Sequence, residues 1–236
     1  MVMSAIFKRE FSSYFSSAIA YVVLAVFYFF SGMFFFWYCL LSDSANLTPV
    51  FINMFMVILF LIPVLTMKLF SEEKRQKTDQ ALLTAPVSLL QVVMGKFFSA
   101  VLVYACCLAV FFVYAVVLSC FTTPAWSLIL CNFIGVFLMG CALIAIDMFI
   151  SSLTESQIVA AVAGFAAGLA IYMIDSIASM IPVDFIKTIL NSLSFLTHLQ
   201  NFSAGLFTIS DAVFFLSVVV IFVFLTIRVF EKKRWS

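Results

Sequence analysis

The polar residues of this 236-residue chain are gathered into a few short stretches, separated by apolar runs long enough to cross a bilayer. A hydrocarbon core of ~30 Å is spanned by ~20 helical residues. Apolar runs of that kind lie at about residues 18–41, 50–70, 97–120, 127–150, 157–180 and 212–230. Residues 97–146 carry no charge at all. As one helix they would extend ~75 Å, so the chain must fold back, and Thr122-Thr123-Pro124 is the turn signal in their middle. The pattern predicts an all-α integral membrane protein, a single transmembrane domain over 1–236 with six transmembrane helices.

The stretches between the runs add shorter elements. Met3, Ile6, Phe7, Phe11, Tyr14 and Phe15 recur at helical spacing, with Lys8, Arg9, Glu10 and Ser12 largely off that stripe. Residues 1–16 therefore read as an amphipathic helix in the headgroup plane, or alternatively as one packed on a partner. Trp37 and Tyr38 at the end of the first run suit an interfacial belt. Residues 42–46 form a turn, and Pro63 is expected to kink the second span. Residues 71–91 hold the longest hydrophilic stretch, read as a short helix over 72–84, a break before Pro86 and a new helix near Ser88. Residues 151–156 are a short polar link. Residues 182–210 are too broken to cross, and read as one or two short helices at the membrane edge, with an apolar stripe at Phe185, Ile186, Ile189, Leu190 and Leu193.

Composition strengthens this picture. The chain is 66% hydrophobic and 10% charged, far from the balance of a water-soluble domain. A net charge of +1 gives no basic face for nucleic acid. The placement of charge says more than its sum. With six spans, eleven of the twelve Lys and Arg residues fall on the side of both termini: Lys8, Arg9, Lys68, Lys74, Arg75, Lys77, Lys96, Arg228, Lys232, Lys233 and Arg234. Lys187 alone falls on the other. Such asymmetry marks the cytosolic side, so both termini are expected there. The six cysteines lie inside or at the ends of apolar runs without a CxxC pair, and read as packing residues.

Candidate chemistry is sparse. No GxxxxGK[ST], HExxH or GxSxG pattern occurs, and Gly95-Lys96 at a helical start is not a phosphate loop. His198 reads as a satisfied surface histidine. Asp147 and Asp175 lie near helix ends from which each can reach an interface, and no span carries a series of carboxylates for a proton relay. The expectation is a chain that is no enzyme and holds no metal and no cofactor of its own. An intramembrane enzyme built on Asp147, Asp175 or His198 is the weaker alternative. The charged stretch between spans two and three can accept a push from a soluble partner, or be simply a solvated loop.

The run Ile62-Pro63-Val64-Leu65-Thr66-Met67-Lys68-Leu69-Phe70-Ser71-Glu72-Glu73-Lys74-Arg75, then Thr78, Leu82-Leu83-Thr84-Ala85-Pro86-Val87-Ser88 and Gly95-Lys96, resembles the type-2 (exporter) ABC transporter permeases. It is most similar to their gliding-motility-associated branch. Glu10, Phe15, Ala20-Tyr21 and Ser31-Gly32 agree near the start. Asn201-Phe202, Gly205, Asp211 and Glu231-Lys232-Lys233-Arg234-Trp235 agree near the end.

The resemblance implies a permease of the bacterial inner (cytoplasmic) membrane. In it, residues 71–91 are the coupling segment, with Glu72, Glu73, Arg75, Thr78, Leu82, Leu83 and Pro86 at the contact with a cytosolic ABC ATPase subunit. Glu155 would lie in a second, smaller cytosolic contact. Residues 182–210 would be an extracytoplasmic re-entrant hairpin. The partners implied are that ATPase, which would hold ATP and Mg, a second permease subunit in a homo- or heterodimer, the lipid bilayer and an extracytoplasmic protein. Lys77 and Gln80 depart from the family's usual Gly and Glu. ATP-driven motion would then pass from the coupling segment to spans two and five. The rival reading in the same architecture is a non-transporting anchor that transmits ATPase-driven change to an extracytoplasmic partner.

Overall fold

The computed structural model describes residues 2–77, 88–121, 123–180 and 184–235. Among them the chain is helical throughout, with no strand. The elements are α1 (Val2–Ser16), α2 (Ala18–Phe35), α3 (Thr48–Thr66), α4 (Lys68–Arg75), α5 (Leu89–Leu108), α6 (Val110–Ser119), α7 (Trp126–Leu153), α8 (Gln157–Met180), α9 (Asp184–Leu193), α10 (Phe195–Ser203) and α11 (Ile209–Trp235). A π-helical turn, Phe36–Leu40, extends α2. It leaves Trp37 and Tyr38 exposed. Six helical stretches are long and apolar enough to cross a membrane: Ala18–Leu40, Thr48–Arg75, Leu89–Ser119, Trp126–Leu153, Gln157–Ala178 and Ile209–Arg234. The third is α5 and α6 joined at Ala109, and it starts eight residues before the apolar run at 97 because Ser88 caps it, its hydroxyl accepting from the Gln91 N–H.

α7 is the axis of the bundle. It is apolar on every face, as a buried helix is, and α3, α5, α8, α10 and α11 pack around it. Lipid offers no hydrophobic drive to pair helices, so small residues and cross-helix hydrogen bonds decide where they meet. Tyr104 of α5 lies over Gly140, where an added Cβ would fall 2.2 Å from its ring, and its hydroxyl donates to the Val136 carbonyl at 2.8 Å. Phe202 of α10 lies over Gly135 in the same way, at 2.7 Å. Large apolar side chains such as Phe29, Val162 and Val220 point outward from the bundle.

One expectation about the second span is corrected. α3 runs through Pro63 to Thr66, the Met67 N–H donates to the Pro63 carbonyl at 3.0 Å, and Met67 joins α3 to α4. The short charged helix starts at Lys68, not Glu72, and its helical turns end at Arg75, before Lys77 takes a left-handed φ of 55°. Residues 78–87, which include Thr78, Leu82, Leu83 and Pro86, lie outside the described residues, as does Pro182.

Candidate functional site

The charged residues converge at the end of the bundle where α1, α4, the start of α5 and the end of α11 meet. Lys96 sits in the second turn of α5 with 2% of its side chain exposed. Its ammonium lies 2.9 Å from Glu73 Oε1 of α4 and 3.2 Å from Glu10 Oε1 of α1. It also donates to the Leu69 carbonyl at 2.8 Å and stands 5.2 Å from the centre of the Phe70 ring. A buried ammonium is costly unless all three of its protons are used. Here each has an acceptor, and the three acceptors come from two different helices.

α4 is tied on its other sides as well. The Ser151 hydroxyl of α7 donates to the Met67 carbonyl at 3.2 Å and accepts from the Phe70 and Ser71 N–H groups at 3.3 Å each. Those donors belong to the first turn of α4, which lacks a cap of its own, so Ser151 does from another helix what an N-cap does within one. Lys74 donates to the Ser152 carbonyl near the C-terminus of α7 and lies 5.9 Å from the Phe230 ring. The Phe70 and Phe230 rings meet at 4.7 Å. The Tyr14 hydroxyl of α1 donates to the Leu65 carbonyl at 3.1 Å, and burial drives its phenol pKa upward, so it stays protonated and able to donate. A cleft of about 360 Å³ remains between α1 and α4, lined by Arg9, Glu10, Ser13, Lys68, Glu72 and Glu73 among others.

Of the four predicted contact residues that are described, Glu72, Glu73, Arg75 and Glu155, only Glu73 turns inward. Glu72 is half-buried and accepts from the Gln76 amide at 3.3 Å, and Arg75 is exposed. Glu155 is exposed on a link shorter than predicted, because Ser151 and Ser152 are buried in the last turns of α7. Asp147 does not reach an interface. It is buried where spans two, four and five cross, and a Cβ at Gly164 would fall 2.8 Å from its Oδ1 and 3.0 Å from Pro63 Cβ. Gly168, one turn further along α8, lets that helix approach Leu59.

At the opposite end α10 is held by two carboxylates. Asp175 of α8 accepts from Ser194 and Thr197 through Oδ1, the second at 3.0 Å, and so supports the N-terminus of α10. Both ring nitrogens of His198 are satisfied, as expected, but it is less exposed than a surface histidine. Only 14% of its side chain is exposed, and Nδ1 lies 2.6 Å from Asp211 Oδ1 of α11. Sequence reasoning passed over Lys96 and Ser151 as functional groups. For Lys96 a signal was present, since a single charge inside an apolar helix demands partners. For Ser151 none was, because a serine in a span usually bonds its own helix.

Among the described residues no group of three or more His, Cys, Asp or Glu side chains could hold a metal ion. α4 thus meets α5 and α7 through hydrogen bonds, α1 through the shared Lys96, and α11 through ring contacts. The family model described as ABC-2 family transporter protein matches residues 7–179, from α1 to the last turns of α8, and so takes in Glu10, Glu73, Lys96 and Ser151. No curated protein matches the chain. With that match over most of its length and six apolar helices to span a bilayer, the chain belongs to the ABC-2 family and is a multi-pass membrane permease.

Proposed function

We propose that the chain is the permease subunit of an ABC transporter that couples ATP hydrolysis by a separate cytosolic ATPase to export, or to other work, across the bacterial inner membrane. It is placed nearest the gliding-motility-associated branch, with both termini cytosolic. Residues 71–91, beginning within α4, are its coupling segment. Glu72 and Arg75 face the ATPase together with Thr78, Leu82, Leu83 and Pro86, and Glu155 adds the second contact. α9 and α10 form the extracytoplasmic hairpin. Two permease subunits, alike or related, assemble above two ATPases, which hold the ATP and Mg.

The observation that carries this reading is the set of bonds that tie the inner face of α4 to its neighbours. A helix that receives a push transmits it only if it is fixed to what must move; the Lys96 bond supports a path into span three, the Ser151 and Lys74 bonds one into span four, and the Phe230 ring contacts one into span six. Span two is continuous with α4. Span five, the other expected recipient, is reached through its packing on Pro63 and Asp147.

The test is to purify the tagged chain gently from its native membrane and identify what accompanies it. An ATPase subunit should be recovered, and should be lost when Leu82 and Leu83 are both changed to Asp. A well-folded six-span protein that brings no ATPase under any condition would overturn the proposal. ATPase activity stimulated by an extracytoplasmic protein, and by no transported solute, would identify the anchor reading.

A further inference from the structure

Gly95, Phe98, Leu102 and Ala105 recur at helical spacing along α5 and, with Phe7 of α1 and Phe137 of α7, line a groove of about 460 Å³. Both rings are held in place. Phe7 stacks on Phe11 with centres 6.1 Å apart, and Phe137 on Tyr104 and Phe133 at 6.4 and 6.5 Å. Phe98 and Leu102 are 42% and 38% exposed, so the groove opens outward from the bundle. Lys96, next to Gly95, bonds Glu10 at 3.2 Å, which puts the Gly95 end of the groove at α1. From Gly95 to Ala105 the helix rises ~15 Å, half of a ~30 Å hydrocarbon core. The groove thus runs from α1 through the depth of one leaflet.

The side chains that line it are apolar throughout, so water finds no partner there. Hydrocarbon fits it. Spread over its length, the volume gives a cross-section of roughly 30 Å². That admits one extended chain and not an α-helix, which is ~10 Å across with its side chains. Charge decides which lipid supplies the chain. Glu10, the one carboxylate of α1, is taken by Lys96. α1 is left with Lys8 and Arg9, both exposed and neither with an acceptor among the described residues. Arg9 lines the cleft beside α4, and Lys8 directly follows Phe7 of the groove. Basic residues at this level attract anionic headgroups. We infer that the groove is a lipid site, which takes one acyl chain of an anionic phospholipid and places its headgroup at Lys8. A chain seated there fills the seam between α1, span three and span four. The inference rests on the chain's spanning a bilayer and stands whether or not it binds the proposed ATPase.

The test uses two probes with the same photoactivatable acyl chain, phosphatidylglycerol and phosphatidylcholine, each at trace level in phosphatidylcholine nanodiscs that hold the full chain. After irradiation, peptide mapping should find residues 95–105 labelled more strongly than the residues around Val220 of α11, which is 67% exposed. The phosphatidylglycerol probe should exceed the phosphatidylcholine probe at 95–105 by roughly fivefold, the worth of one basic residue near an anionic surface. Lys8→Gln should remove that preference and leave labelling by the phosphatidylcholine probe unchanged. Ala105→Phe, which puts a ring into the groove, should lower labelling there by both probes and leave the Val220 region as it was. Should that variant fail to fold, Lys8→Gln, at an exposed position, still decides the question. Labelling at 95–105 no stronger than around Val220 would mean ordinary contact with bulk lipid and would overturn the inference. Equal labelling by the two probes, a preference that survives Lys8→Gln, or full labelling of a folded Ala105→Phe variant would overturn it as well.

Discussion

Lys96 on the third span and Glu73 on the charged helix α4 lie 23 residues apart in sequence and 2.9 Å apart in space. Glu10 and the Leu69 carbonyl take the remaining protons of the same ammonium, so one lysine joins three helices. A buried ion pair adds little net stability over a well-packed apolar substitute, yet removing one member leaves an uncompensated charge. The trio therefore acts chiefly as a fixed joint.

Lys96→Ala should be the most damaging single change at this joint. It leaves two carboxylates facing each other without their cation, at a cost of ~3–5 kcal/mol. Glu73→Ala leaves Lys96 with Glu10 and Leu69 and should cost only ~1.5–3 kcal/mol, the worth of a hydrogen bond to a charged group. Thermal unfolding of the purified variants orders the two, and equal destabilisation would contradict the shared-lysine arrangement.

Docking and transmission should separate. Fully burying a leucine contributes ~1.5–3 kcal/mol, against about 0–1 kcal/mol for an exposed charge contact, so Leu82→Asp should release the ATPase subunit more than Glu73→Ala does. Because Glu73 turns inward to Lys96, Glu73→Ala should keep the ATPase bound while lowering the activity coupled to it. Co-purification and ATPase assays on both variants decide this, and equal retention of the partner would sink the docking model.

Ser151→Ala removes a side-chain cap supplied from another helix. The Phe70 and Ser71 N–H groups lose this additional acceptor, at ~0.5–2 kcal/mol. Hydrogen exchange at those two amides should quicken, while amides of α10, at the opposite end, should not change.

Gly164→Ala places a methyl group 2.8 Å from Asp147 Oδ1 and 3.0 Å from Pro63 Cβ. Overpacking of this kind costs ~1–3 kcal/mol. Combining it with Asp147→Ala frees space on one side, so the double variant should be more stable than the sum of the single losses predicts. Strict additivity would show that spans four and five are not in contact there.

Helix identity and placement were legible because lipid imposes them: a bilayer accepts only long apolar helices, and twenty uncharged residues announce one locally. The helix start near Ser88 was legible too; what the apolar run at 97 did not show is that this helix continues unbroken into span three, because its first two turns still contain Gln91 and Lys96. That His198 is satisfied was read correctly, but its partner was not named. Asp211 lies 13 residues on, and nothing in the local spacing marks it.

By itself the sequence determined the six spans, a non-crossing helical segment before the last one and the crowding of positive charge at one end, since each follows from local hydropathy and charge. Only the tertiary structure decided which charges meet. Lys96 with Glu10 and Glu73, Ser151 with the first turn of α4, and Asp147 with Gly164 each join helices remote in sequence. Those pairings depend on how side chains pack where helices cross, and helical periodicity carries no record of the helix on the other side.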